Sequence, residues 1–189
     1  MAAPPTIRLD HEFGLEGWRA EDAACQRTFA EDAAAARFFG WTVEEAREQP
    51  DAHYIGVIQG FQDDWLSGSR FSLAIRRVTT GEAVGAVELR PVDDAVKLSY
   101  LVAPAFRGQA LAPRALSALL DWATHELSVS RALLNCDVEN IASRRVAEKC
   151  GFTLAQRNGN EFLFIRHLYR QKLAALASLA NIAQMSALT

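Results

Sequence analysis

The stretch from residue 96 to residue 137 constrains the fold of this chain more than any other. It begins as an apolar run, "VKLSYLVA", and passes through a turn that contains Pro104 and Gly108. It continues as the helical pattern "APRALSALLDWATHEL" and ends in a second apolar run, "RALLNCDV". Two strands joined through a helix lie parallel in one sheet, and such a crossover is almost always right-handed. The sequence therefore predicts a parallel strand pair at the centre of the fold.

The segments on either side predict a mixed sheet. Before the crossover, a strand is followed by a continuous helix over residues 19–40, a second helix with the capping-box pattern of Thr42 and Glu45, and a third that ends at Gly68. A hairpin with the turn "TTGE" comes next. After the crossover, a helix that ends at Gly151 leads into a closing hairpin around "NGN". This order predicts an α/β fold with helices on both faces of a mostly antiparallel sheet.

Composition narrows the possible functions. A formal net charge of −3 and a pI near 5.8 disfavour a nucleic-acid partner, which a basic excess would mark. Cys25, Cys136 and Cys150 are too few and too far apart for a disulfide framework or a zinc site, so we expect free thiols in a reducing cytosol and no metal. No apolar run approaches about 18 residues, so we expect a cytoplasmic protein without a membrane partner.

The turn before the central helix has the composition of an anion site. The first N–H groups of a helix lack intrahelical partners and carry partial positive charge, which suits a pyrophosphate. Arg107 adds a cation, and the small residues Gly108, Ala110 and Ala112 leave the backbone open to an approaching anion. A plain connector explains the same residues equally well, so physical chemistry alone leaves both interpretations open.

A resemblance over a longer stretch favours the anion site. "LSYLVAPAFRGQALAPRALSALLDWA" resembles the acetyl-CoA-binding motif of the GNAT superfamily of N-acetyltransferases, whose pattern is Arg or Gln, two residues, Gly, one residue, and Gly or Ala. "NIASRRVAEKCGF" is similar to the second cofactor motif, and "GEAVGAVELRP" to the preceding hairpin. The match is closest to the RimJ/RimL-type branch and covers roughly residues 6–169. It implies a GNAT-like sheet with one splayed strand pair.

The resemblance implies a set of cosubstrate contacts. The pantetheine of acetyl-CoA would fill the gap beside strand 96–102 and bond main-chain groups of Leu101 and Val102. The N–H near Leu101 would polarise the acetyl carbonyl. Asn140 would hydrogen-bond the pantetheine arm. The turn would hold the pyrophosphate through Arg107, Gly108, Gln109, Ala110, Leu111 and Ala112.

The resemblance also implies a catalytic acid, and the chain departs from the family pattern nearby. Ser143 would lie near the thioester sulfur and protonate the departing thiolate. Many relatives use a tyrosine four residues later, where this chain has Ala147. The alternative for Ser143 is an early helix residue that makes only local bonds. Ala110 replaces the usual glycine of the turn, and Lys97 replaces an acidic residue that this branch often carries.

Glu88 is the leading candidate for the base that takes the proton from the acceptor amine. It lies mid-strand, and alternation places it on the face opposite Val87 and Leu89. In a cleft, burial would raise its pKa into a useful range, whereas on the solvent side it would be ordinary. His53, early in the third helix, is a second candidate for the base and would contact the acceptor, although a lone helix histidine is more often a surface residue. Trp41 would line the acceptor pocket unless it packs in the core.

We therefore expect an acetyl-CoA-dependent N-acetyltransferase that passes the acetyl group directly to a primary amine. The acceptor would be a peptide or protein N-terminus, or a small amino metabolite or antibiotic. A degenerate family member that binds a ligand or partner without transfer, and a transferase for longer acyl groups, remain as alternatives. Residues 1–170 are predicted to form the domain and residues 171–189 a helical extension. The apolar face at 171–185 favours packing on the domain or in a homodimer.

Overall fold

The computed structural model describes residues 3–168 and follows the predicted order of elements. In chain order these are β1 (Ile7–Arg8), β2 (Phe13–Glu16), α1 (Ala23–Ala30), α2 (Ala33–Phe39), α3 (Val43–Glu48), α4 (Asp51–Ser67), β3 (Phe71–Arg77), β4 (Ala83–Val92), β5 (Ala95–Val102), α5 (Leu111–Glu126), β6 (Arg131–Asp137), α6 (Ile141–Lys149), β7 (Thr153–Asn158) and β8 (Glu161–His167). The sheet order is β1-β2-β3-β4-β5-β6-β8-β7. Within these residues only β5 and β6 pair in parallel, so the mixed, mostly antiparallel α/β fold is confirmed.

Strands β5 and β6 are paired over only half of their length. Their parallel register joins Ala95–Leu98 to Arg131–Leu134, and beyond it the strands separate. On its other side β5 stays paired with β4 along its whole length. The splayed pair is therefore confirmed, and it leaves one edge of residues 99–102 without a strand partner.

The two faces of the sheet bury separate apolar clusters. On β3, Leu73 contributes to a large core that Leu116 of α5 completes. Ala74, the next residue along the strand, contributes to a smaller core with Phe29 of α1 and Ile58 of α4. Because neighbouring strand residues point to opposite faces, α5 and the pair α1 and α4 lie on different sides of the sheet. Helices on both faces are thus confirmed.

The structure corrects two predictions near the N-terminus. Residues 19–40 form two α-helices instead of one, because Asp32 begins a new helix and its Oδ1 accepts a backbone N–H two residues later at 3.1 Å. The alanine-rich composition hides this break, since the helical periodicity continues through it. The predicted first strand is divided into β1 and β2 by a turn in which the Asp10 carboxylate accepts the N–H groups of Glu12 and Phe13.

A buried ion pair joins the first helices to the sheet. Arg76 of β3 is 3% exposed and donates from both terminal nitrogens to Asp22, at 2.9 and 2.7 Å. Burial disfavours the charged guanidinium, but hydrogen bonds and attraction to Asp22 outweigh that cost and raise the pKa of Arg76. Asp22 directly precedes α1, so the pair positions α1 against the centre of the sheet.

Some of the predictions lie outside the described residues. These are the extension at 171–189, its helix at 171–185 and a homodimer formed through it, so they stay predictions together with the domain boundary after residue 170. None of the helices within residues 3–168 combines the length and the apolar character needed to span a bilayer. In the same part of the chain, no cluster of three metal-ligating side chains is found.

Candidate active site

Two cavities meet at the splayed strands. The larger, of about 730 Å³, extends from the gap between β5 and β6 to the start of α5, and the smaller, of about 420 Å³, lies between the sheet and helices α1–α4. Both volumes are in the range of small-molecule sites. The residues that line both cavities are called the junction here, and they are Phe39, Glu88, Arg90, Ser99, Tyr100 and Leu101.

The turn before α5 presents free backbone amides. Gly108 and Ala110 are left-handed, with φ of +81° and +54°, a conformation that gathers successive N–H groups into an anion-binding concavity. None of the N–H groups from Gly108 to Ala112 finds an acceptor in the part of the chain that the structure describes. Gly108, Ala110, Leu111 and Ala112 line the larger cavity, whereas Gln109 belongs to the turn without lining it. These amides suit an anion at the helix start.

Arg107 lines the larger cavity but is already bonded within the protein. Its Nε donates to the carbonyl of Val102 at 3.0 Å, and its Nη2 donates to the carboxylate of Asp32. Asp32 caps α2, so Arg107 joins the turn to the helices above the smaller cavity. An anion in the turn would therefore share this guanidinium with Asp32.

Replacing Ala110 by glycine is expected to raise the free energy of unfolding by about 1 kcal/mol, because an alanine Cβ is crowded at positive φ and glycine has none. The same exchange at the exposed Ala24 of α1 is the control and should lower it by ~0.5–1 kcal/mol. Urea denaturation measures both changes. Equal losses at the two positions would contradict the left-handed turn.

Strand alternation decides which peptide groups face the gap. The N–H of Ala103 donates to the carbonyl of Val84 in β4 at 2.9 Å, and every second residue of an antiparallel strand points its peptide groups to the same side. The main chain of Leu101 therefore faces β4, while the peptide groups of Tyr100 and Val102 face the free edge. This corrects the main-chain role expected of Leu101, which contributes its side chain to the junction instead.

Ser143 lies beside the gap at the start of α6. It is 8% exposed, and its N–H donates to Oδ1 of Asn140 at 2.9 Å, which caps the helix. Its Oγ accepts the hydroxyl of Tyr100 at 3.0 Å. Burial raises the pKa of Tyr100 to about 12, so this phenol stays protonated near neutral pH. A tyrosine hydroxyl thus reaches Ser143 from β5, although α6 carries Ala147 where many relatives have their tyrosine.

Glu88 faces the cleft, which is the first of the two alternatives considered for it. Only 14% of its side chain is exposed. Its Oε1 accepts the hydroxyl of Ser99 at 2.8 Å and pairs with Arg90 at 2.9 Å, and Arg70 approaches Oε2 at 3.9 Å. Lys97, which pairs in register with Arg90 on the neighbouring strand, also lines the larger cavity, so this end of the site is rich in cations.

Trp41 and His53 both line the smaller cavity. The indole of Trp41 stacks on Phe39 with ring centroids 5.2 Å apart, and its Nε1 donates to the carbonyl of Ala30 at 2.9 Å. The imidazole of His53 is exposed and packs edge-on against Tyr54 at 5.1 Å. The structure therefore brings Trp41, His53 and Glu88 to the walls of one cavity.

Several charged side chains of the larger cavity were not singled out from the sequence, among them Arg145, Lys149 and Glu161. Arg145 and Lys149 lie on α6, and their spacing of four places them on one helix face. Glu161 at the start of β8 accepts the amide of Asn135 at 2.8 Å. The spacing of Arg145 and Lys149 on one helix was a signal from which their place in the site could have been predicted. Glu161 gave no such signal, because only the pairing of β6 with β8 brings it to the cavity.

All three thiols are expected to resist alkylation at about pH 8. Burial raises the pKa of Cys25 to about 12, and it also raises the pKa of Cys136 and Cys150. Because the thiolate is the reactive form, the folded protein should react with iodoacetamide roughly 100-fold more slowly than the chain in urea. Mass spectrometry counts the modified thiols. Rapid modification of one cysteine in the folded protein would contradict this and would reopen a covalent route through that cysteine.

A sheet that splays beside its central strand, with an amide-lined turn at the end of that strand, defines the acyl-CoA-dependent acetyltransferases of the GNAT type. The family model described as "Acetyltransferase (GNAT) domain" matches residues 12–153. The chain therefore belongs to the GNAT acetyltransferase family and is an acyltransferase enzyme. A search of curated proteins found no significant match.

Solved structures share this fold at low sequence identity. An acetyltransferase from Salmonella typhimurium that modifies the N-terminal serine of ribosomal protein L7/L12 is 18% identical, with a TM-score of 0.71, over 87% of this chain and all of its own. One from Agrobacterium tumefaciens is 23% identical, with a TM-score of 0.71, over 88% and 96%. The microcin C7 self-immunity acetyltransferase, in complex with acetyl-CoA and AMP, is 16% identical, with a TM-score of 0.72, over 87% and 97%. At these identities the likeness is one of fold, and it is consistent with the RimJ/RimL-type branch.

Proposed function

We propose that the protein is a cytoplasmic RimJ/RimL-type N-acetyltransferase that passes the acetyl group of acetyl-CoA directly to a primary amine. The observation that supports this most strongly is the junction, where the free edge of β5 and the smaller cavity share their walls. A cosubstrate in one cavity and an acceptor in the other would meet there. The acceptor is a peptide or protein N-terminus, or a small amino compound. Among the solved structures of similar fold, one enzyme modifies an N-terminal serine, and another is a microcin C7 self-immunity acetyltransferase.

The residues of the larger cavity fit acetyl-CoA. The free amides of 108–112 suit its pyrophosphate, and Arg145 and Lys149 add charge for further phosphate oxygens. The gap-facing peptide groups of Tyr100 and Val102 can pair with an extended pantetheine as they would with an added strand. The Nδ2 group of Asn140 has no acceptor within residues 3–168, because the helix cap uses only Oδ1, so it is free to donate to the cosubstrate.

Transfer requires a neutral amine beside the thioester, which supplies the acetyl group. Glu88 takes the proton of the ammonium at the junction, and the N–H groups of Tyr100 and Val102 stabilise charge on the acetyl oxygen. As the new N–C bond forms and the C–S bond breaks, the sulfur receives a proton from Ser143. The nitrogen loses its second proton to solvent as the amide forms, and Ser143 regains a proton from solvent. The Tyr100 hydroxyl donates to Ser143 Oγ, so the Ser143 hydroxyl keeps its own proton to donate. No covalent enzyme intermediate is needed.

Thiol release from acetyl-CoA across a panel of amines and peptides tests this function. We expect CoA release that depends on the amine, an acetylated product in the mass spectrum, and initial-velocity lines that intersect as a ternary complex requires. Parallel lines would contradict direct transfer. Binding of acetyl-CoA without release of CoA would support a degenerate family member that binds a ligand but does not transfer. Release of CoA only from longer acyl-CoA esters would support a transferase for longer acyl groups.

A further inference from the structure

We propose that the acceptor is a primary amine that carries an aromatic ring and no second positive charge. The proposal rests on the transferase function above and names its acceptor. In this arrangement the amine lies at the junction beside Glu88 and Ser99, and the ring lies in the smaller cavity. Neither the family membership nor the fold of the solved relatives specifies such an acceptor.

The smaller cavity is walled by ring faces. Its aromatic side chains beyond the junction are Phe29, Trp41, Tyr54 and Phe61. Their polar atoms are already bonded to the protein: Trp41 donates to Ala30, and the hydroxyl of Tyr54 donates to the carbonyl of Ala46 at 2.7 Å. These side chains therefore offer a ligand hydrocarbon surface and no free hydrogen-bonding group. Polar side chains such as Gln26, Gln49 and Ser72 lie elsewhere on the wall of this cavity, apart from the ring faces.

A stacked pair at the entrance favours an aromatic group over an aliphatic one. Phe39 is 46% exposed, which is unusual for so large an apolar side chain, and it lies nearly parallel to Trp41, with 25° between the ring planes. Phe39 also belongs to the junction, so the pair connects the reaction centre with the ring-lined cavity. A ligand ring on this pair gains offset or edge-to-face contacts that a saturated ring of similar size lacks.

Charge at the junction opposes a second ammonium group. Arg70 and Arg90 flank Glu88, and Lys97 lies on the adjacent strand. Glu45, the other acid of the smaller cavity, is exposed and accepts a hydrogen bond from the cap of its own helix. At the junction itself Arg90 balances Glu88. Lys97 and Arg70 add positive charge beside it, although Arg70 is also paired with Asp64. A monoamine that loses its proton to Glu88 fits this field, whereas a polyamine would bring another cation close to the arginines.

Matched amines test the proposal by their kcat/KM values. We expect 2-phenylethylamine to exceed butylamine by about 10-fold or more, and to exceed 2-cyclohexylethylamine by several-fold, because ring contacts add to apolar burial. Spermidine should be the poorest acceptor. Equal values for the phenyl and cyclohexyl amines, or a preference for spermidine, would overturn the proposal.

Variants of Trp41 show whether the ring contacts carry this preference. Trp41→Ala should reduce the ratio of 2-phenylethylamine to butylamine by about 10-fold, and Trp41→Phe should keep most of it. Leu154→Ala removes an exposed apolar side chain on β7, outside both cavities, and should leave the ratio unchanged. Both amines are measured with the same variant, so an effect of the substitution on folding or on acetyl-CoA binding cancels in the ratio of their kcat/KM values.

Calorimetry with acetyl-CoA separates failure of this proposal from failure of the proposed function. If acetyl-CoA binds and butylamine is acetylated as well as 2-phenylethylamine, only the aromatic acceptor is overturned. If acetyl-CoA does not bind, the proposed function fails as well. If acetyl-CoA binds but no amine turns over, saturable fluorescence quenching by 2-phenylethylamine that disappears in Trp41→Phe upholds the aromatic site, and absence of quenching overturns it.

Discussion

Replacing Asp22 by alanine is expected to lower the free energy of unfolding by about 3 kcal/mol, because a buried guanidinium loses the carboxylate that accepts two of its hydrogen bonds and keeps Glu16 as a charged partner. Arg76 makes two hydrogen bonds to Asp22 in a part of the core where water is excluded. Urea denaturation of the variant and the parent chain measures the change. Since Asp22 precedes α1, the variant should also loosen the wall of the smaller cavity that α1 provides.

An exposed pair of the same residue types is the control for this experiment. Asp94 pairs with Arg131 at the surface, where 56% of the Asp94 side chain is accessible. Asp94→Ala should lower the free energy of unfolding far less than Asp22→Ala, because solvent screens the pair and replaces its hydrogen bonds. Similar losses for Asp22→Ala and Asp94→Ala would show that the pair of Asp22 and Arg76 is not buried as the structure has it.

Replacing Ser143 by alanine is expected to lower kcat by about 100-fold or more, with little change in the Kd for acetyl-CoA, because a proton donor to the thiolate is lost. Tyr100→Phe keeps the ring but removes the hydroxyl that bonds Ser143, so its effect should be smaller. Because burial holds the pKa of Tyr100 near 12, ionisation of Tyr100 should not limit activity below about pH 10.

Ser117→Ala is the matched control for the Ser143 variant. Ser117 lies on α5 beside Cys150 and lines neither cavity, so its loss should leave kcat unchanged within about twofold. Steady-state thiol release with a saturating amine gives kcat for each variant. Full activity of Ser143→Ala would remove Ser143 from the chemistry and leave it the local role of an early helix residue.

Local sequence patterns predicted the order of the helices and strands along the chain well, because the decisive signals are short-range. The apolar runs around the central helix predicted the parallel pair, and Gly40 and Gly68 predicted the ends of two helices that the structure closes with left-handed residues. The break at Asp32 was missed, since an aspartate fits a helix interior almost as well as a cap by periodicity alone. The preference of aspartate for N-cap positions was the signal available there.

Contacts between distant residues could not be predicted in the same way. Asp22 and Arg76 are 54 positions apart, and Tyr100 and Ser143 are 43 apart, so no spacing rule connects them. The sign of φ at Ala110 was equally hidden, because alanine rarely adopts the left-handed conformation found there. The orientation of the Leu101 peptide depends on the β4 register, which only the assembled sheet defines.

Titration calorimetry with acetyl-CoA tests most directly whether the gap beside β5 and the turn before α5 form its binding site. We expect saturable binding of one acetyl-CoA per chain, with affinity that falls as salt screens the phosphate contacts. CoA should bind as well, since the pyrophosphate and pantetheine contacts are common to both. Absence of binding heat up to high micromolar acetyl-CoA, with the protein folded, would contradict the assignment of the larger cavity and the proposed transferase together.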